Sequence, residues 1–171
     1  MGYLLRALRL LSMVIWVGGL VFFAFVEAPT AVHVMGTTRQ FAQLIGGSVA
    51  GANQLGRGAG MVFILCTILL WARSSPRTRK LLLGQLILGA VMFASVVYVD
   101  MHIVPAMERD RASVGGDITS VPADNAARTH FDALHAASEK VEGTALFLGI
   151  AIVLLMAGED TRRNVPSAIT R

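Results

Sequence analysis

The chain is poor in charge, in aromatic residues and in cysteine, and each shortage removes a class of protein. Charged residues make up 15% of the 171 positions, where a soluble domain carries about 25%, so an ordinary water-soluble globule is excluded. The single cysteine, Cys66, allows neither a disulfide framework nor a thiolate metal cluster within one chain, and its apolar surroundings read as those of a small core residue. Aromatics are 7% and do not interleave with a basic stripe, so the formal net charge of +4 does not indicate nucleic acid. No H-E-x-x-H helix, C-x-x-C-H haem attachment, G-x-S-x-G elbow or glycine-rich phosphate loop occurs. Catalysis therefore has no positive motif, so an enzyme is not the leading expectation.

What is present is apolar: 54% of residues are hydrophobic and the mean hydropathy is +0.62. A helix crossing the hydrocarbon core needs about 20 mostly apolar residues, and four segments qualify, at 5–28, 48–72, 81–104 and 129–157. The first follows Arg6 and Arg9 as a signal peptide would. It is too long for an h-region and no A-x-A site follows, so it reads as a retained span. Pro29 closes the first segment and Pro105 the third. The expected fold is all-α, an integral membrane four-helix bundle forming a single domain in the lipid bilayer. Cytoplasmic segments retain Lys and Arg. One side of the four spans holds nine basic residues against Glu159 and Asp160, and the other holds six basic against nine acidic. Both termini are therefore expected in the cytoplasm, in a bacterial inner membrane. On the far side a short interfacial helix is expected after the first span, capped by Thr37 or Thr38, running through Leu44 and ended by Gly46 and Gly47. The stretch 108–128, with Gly115, Gly116 and Pro122, reads as a mobile polar loop. Gly47-x-x-x-Gly51 and Gly56-x-x-x-Gly60 offer two places where a neighbouring helix could approach closely.

Counting about 20 residues from the cytoplasmic end of each span locates the opposite boundary near Glu27, Asn53, Asp100 and Ser138. His33, His102, His130 and His135 all lie at or beyond it, and Arg57 and Glu142 lie about one turn inside. At 100° per residue Asp132, His135, Glu139 and Glu142 share an arc of about 80°, a polar stripe on the fourth helix. Burying Glu142 unpaired would cost several kcal/mol, so Arg57 is its expected partner, with Glu27 as a second carboxylate. Trp16, Gly19, Phe23 and Glu27 recur along one face of the first helix. Asp100 and His102 point roughly 200° apart on a regular helix, so only one of them can face inward.

The run Trp16 to Phe23 leading to Ala28-Pro29, the segment Phe41-Ala42 to Gly46, and His130-Phe131-Asp132-Ala133-Leu134-His135 to Ser138 with Glu142-Gly143 resemble the transmembrane-protein-205-like family of domains of unknown function. The resemblance runs from the first helix to about Leu155. It implies a four-helix, membrane-embedded protein, similar at a distance to small families associated with copper handling or haem chemistry. Where that pattern implies Asn before the glycine of the fourth helix, this chain has Glu142, which makes the pocket more anionic.

The leading expectation is an outer-side pocket built from His135, Glu139, Glu142, Glu27 and Arg57 that binds a metal ion, a haem or a small ligand. As a metal site it would use His135, His102 and Glu139, with imidazole and carboxylate suiting copper or zinc and imidazole suiting haem iron. The alternatives are an accessory subunit of a larger membrane complex or a homo-oligomer, whose polar groups pin the helices, and a haem-dependent membrane oxidoreductase.

Overall fold

The structure, a computed structural model, describes residues 2–36 and 39–163. The described residues form α1 (Gly2–Phe22), α2 (Ala28–Met35), α3 (Arg39–Ala72), α4 (Pro76–Tyr98), α5 (Val104–Ser113) and α6 (Ala126–Arg163). Two π turns, Phe23–Glu27 and Val99–Ile103, join α1 to α2 and α4 to α5 without interrupting the rod. Four rods result, and each is long and apolar enough to cross a membrane. α1 packs on α3, α3 on α4, α4 on α6 and α6 on α1, which closes a four-sided bundle. The chain is an all-α, multi-pass membrane protein.

Its surface shows the same thing from outside. Phe147 is 74% exposed, Leu154 67% and Leu55 65%, an apolar exterior of the kind that a lipid bilayer covers. Between the rods, Met13, Trp16, Ala59, Phe63, Met92, Val96, Ala145, Ile152 and Met156 form one buried cluster. Glycine lets the rods come this close. A methyl group at Gly60 would lie 2.8 Å from the Trp16 and Phe93 rings, and one at Gly89 would lie 2.6 Å from Phe63. The spacing Gly56 to Gly60 is thus used in packing, because the Trp16 indole lies across it. Nothing lies within 4 Å of a methyl group at Gly47 or Gly51, so that identical spacing does not pack.

Three expectations are corrected. Neither proline stops its helix: Pro29 and Pro105 each sit at the second position after a π turn, in which the Ala28 and Val104 N–H groups donate to the carbonyls of Phe23 and Val99. Proline removes a donor and its ring crowds the carbonyl four residues back; the wider turn accommodates both. The separate interfacial helix does not form, because Gly46 and Gly47 lie inside the continuous α3. The chain leaves α2 instead at Gly36, whose φ of 61° only glycine adopts without strain. Thr37 and Thr38 lie outside the described residues. Finally, the stretch read as a mobile loop is largely built. α5 extends to Ser113, Gly115 and Gly116 turn the chain at φ 80° and 94°, Ile118 is buried, and Asn125 caps α6 by accepting from the Ala127 N–H at 2.9 Å.

Candidate functional site

The two ends of the bundle differ. At the end formed by α2, α5 and the residues before α6, the rods splay around a cavity of about 1050 Å³. Its polar wall is α6, which contributes Asp132, His135, Ser138, Glu139 and Glu142. These positions recur every three or four residues, so one helical face carries them all. The opposite walls are mainly apolar, with Phe23, Val32, Ile45, Val49, Val104, Met107 and Ile118, and they also carry Asn53, Asp100, Glu108, Arg111 and Asp117. His135 Nε2 lies 3.4 Å from Glu139 Oε1 one turn on. Glu142 faces the like charge of Glu139, and no cation pairs with it among the described residues. Two cations, Arg111 and Arg128, also line the cavity. Arg111 pairs with Glu108, and Arg128 donates to the Val121 carbonyl at 2.7 Å.

The remaining candidates lie elsewhere. Arg57 pairs with Asp100, and not with Glu142 or Glu27; Asn53 Nδ2 donates to the same carboxylate at 2.7 Å. The π turn explains the exchange. It widens the helix where Asp100 sits and directs that carboxylate towards α3. His102, in the same turn, is exposed and lies 5.3 Å from the Tyr98 ring, away from the cavity wall. Glu27 lines a smaller cleft between α1 and α3, together with Trp16, Gly19 and Phe23 of the same stripe. His130 meets Asp110 at 2.8 Å, and His33 is exposed. The trio His135, His102 and Glu139 is therefore not assembled, and among the described residues no three His, Cys, Asp or Glu side chains are grouped to hold a metal ion.

The other end holds a cluster that sequence reasoning did not find. Arg9 is 3% exposed; its Nη1 donates to Gln85 Oε1 at 3.0 Å and its Nη2 to Glu159 Oε2 at 2.6 Å. Arg6 meets the other oxygen of Glu159 at 3.3 Å. The link ties α1, α4 and α6 together. Gln85, within an apolar run, was the available signal, because a lone amide there needs a partner. Cys66 is buried and free, as a core residue.

No curated protein and no solved structure matches the chain. A family model does match, over residues 11–112, which covers most of α1 and nearly all the chain through α5. It agrees with the resemblance in being a domain of unknown function, and it leaves the α6 wall of the cavity outside the matched stretch. More than half of the sequence lies inside that match, so the chain belongs to the family described as the domain of unknown function DUF4149.

Proposed function

We propose that this membrane protein binds an amphipathic, cationic small molecule in the cavity lined by α6. The observation that carries the reading is the pairing of an apolar wall with a face bearing Asp132, Glu139 and Glu142, in a cavity of about 1050 Å³. Ligand cavities run to about 1,000 Å³. A half-buried carboxylate with no paired cation is costly near lipid, and a ligand ammonium would offset that cost, while its apolar body would cover Ile45, Val49 and Met107. His135, beside Glu139, would orient the head group through its ring nitrogens. The likeness around His130 to Gly143 to the transmembrane-protein-205-like family supports attention to the same face. The reading places the protein in a bacterial inner membrane with both termini cytoplasmic, supported by the bias of nine basic to two acidic residues.

Calorimetric titration of the detergent-solubilised protein with dodecylamine, dodecanol and dodecanoate tests the binding. Dodecylamine should bind most tightly, and Glu142→Gln should weaken it about tenfold, or about 1.4 kcal/mol. Equal affinity for the three head groups, or no effect of Glu142→Gln, sinks the reading. Stoichiometric copper or zinc in the purified protein, or a Soret band, would favour the metal or haem alternatives instead.

A further inference from the structure

The turn between α3 and α4 carries Arg73, Arg77, Arg79 and Lys80 within eight residues, and the chain has no acidic residue between Glu27 and Asp100. Arg73, Arg79 and Lys80 are exposed. No carboxylate from a neighbouring rod neutralises them. Among the described residues the acidic side chain at this end is Glu159, which is 3% exposed and already holds Arg6 and Arg9. A surface of one sign is left, and its counter-charge must come from outside the chain.

Arg79 shows how the patch is built. Its Nε donates to the Trp71 carbonyl and its Nη2 to the Ala72 carbonyl, both at 3.2 Å, and its guanidinium lies 5.3 Å from the centre of the Trp71 ring. The side chain thereby closes the C-terminus of α3, whose last carbonyls lack helical partners. A guanidinium has five N–H donors, so three remain for another acceptor. Arg73 and Lys80 flank it and form no ion pair among the described residues.

The surrounding surface decides which anion fits. Trp71, 38% exposed, is an amphipathic ring of the kind that sits at head-group level. One to two turns deeper the same two rods expose Ile68, Leu83 and Ile87 at 43%, 45% and 55%, apolar surface suited to acyl chains. A cation patch directly above apolar rods matches a molecule with an anionic head and a hydrocarbon body. Free phosphate would satisfy only the first half. We infer that the α3–α4 turn binds an anionic phospholipid, its phosphate held by Arg73, Arg79 and Lys80 and its acyl chains lying along α3 and α4. Each cation beside a bilayer surface raises affinity for anionic lipid about fivefold.

Trp71 reports on the site from within. The full chain is reconstituted in phosphatidylcholine nanodiscs containing a minor fraction of lipid brominated on its acyl chains, either phosphatidylglycerol or phosphatidylcholine, and tryptophan quenching is read. Brominated phosphatidylglycerol should quench at a mole fraction about tenfold lower than brominated phosphatidylcholine. Trp16, 3% exposed, adds a background common to both lipids, and Trp71→Phe, which keeps a ring beneath Arg79, should remove the difference. Arg73→Gln with Lys80→Gln should leave the melting temperature unchanged, because both side chains are exposed, and should bring the two lipids to nearly equal quenching. Arg109→Gln removes an exposed cation at the opposite end and should leave the preference intact. Equal quenching by the two lipids in the unaltered protein overturns the assignment, as does a preference that survives either the double variant or Trp71→Phe. A loss in Arg109→Gln as large as in the double variant overturns it too, because net charge would then suffice. So does a preference abolished by inorganic phosphate but not by chloride of equal ionic strength, since the patch would then hold a free anion.

Discussion

Arg9 and Glu159 form an ion pair with each residue 3% exposed, and Gln85 accepts a further hydrogen bond from the guanidinium. Removing one partner of such a pair leaves the other charge buried, which costs about 3–5 kcal/mol. Glu159→Leu should accordingly lower the unfolding midpoint in detergent sharply, whereas the triple change Arg9→Met, Gln85→Leu, Glu159→Leu should recover most of the loss; losses that simply add would show that the three groups do not interact. At the opposite end the same cycle applies to Arg57 and Asp100. Arg57→Leu and Asp100→Leu should each destabilise, and the double change should cost less than their sum. If Arg57→Leu is instead relieved by Glu142→Leu and not by Asp100→Leu, the pairing is wrong. The need of Arg57 for an intramembrane carboxylate was legible in the sequence, because an ion at that depth is expensive alone. Which carboxylate was not legible, because depth along a rod is read from residue number while direction around the rod is altered by the π turn.

At the scale of the element, glycine spacing separates what a string shows from what packing decides. Gly47 to Gly51 and Gly56 to Gly60 are the same pattern in one helix, yet only the second lies under Trp16. Gly60→Ala should therefore destabilise by about 1–3 kcal/mol through overpacking, and Gly51→Ala, open to space and in mid-helix, should stabilise by about 0.5–1 kcal/mol. Thermal unfolding of the two variants in one detergent checks both, and a matching sign would show that Gly60 is not a contact. The rods themselves were readable from long apolar runs. Their ends were not, because Pro29 and Gly46 are read locally as stops, while the neighbouring rods keep the helix going past both.

For the molecule as a whole, length is informative. A rod of 34 residues is about 51 Å long at 1.5 Å per residue, against a hydrocarbon core of about 30 Å, so roughly 20 Å of each rod projects beyond the lipid. The α6 stripe could be drawn from the sequence because one helix carries it. The cavity could not, because its apolar walls come from α2, α3 and α5, whose relative placement no local pattern encodes. Orientation is checked by reporter fusions after residue 163 and between residues 116 and 117; a reporter active outside at the first position and inside at the second reverses the proposed topology. The π turns add a different kind of constraint. Each closes its ring with one residue more than an α turn, so the extra residue is taken up locally and the rod beyond it keeps its facing. Deleting a single residue from Phe23–Glu27 or from Val99–Ile103 would close that turn to α-helical spacing, and the ring of Pro29 or Pro105 would then crowd the carbonyl four residues back and kink the rod beside the cavity. The straightness of the two rods that wall the cavity is thus specified by how many residues precede each proline.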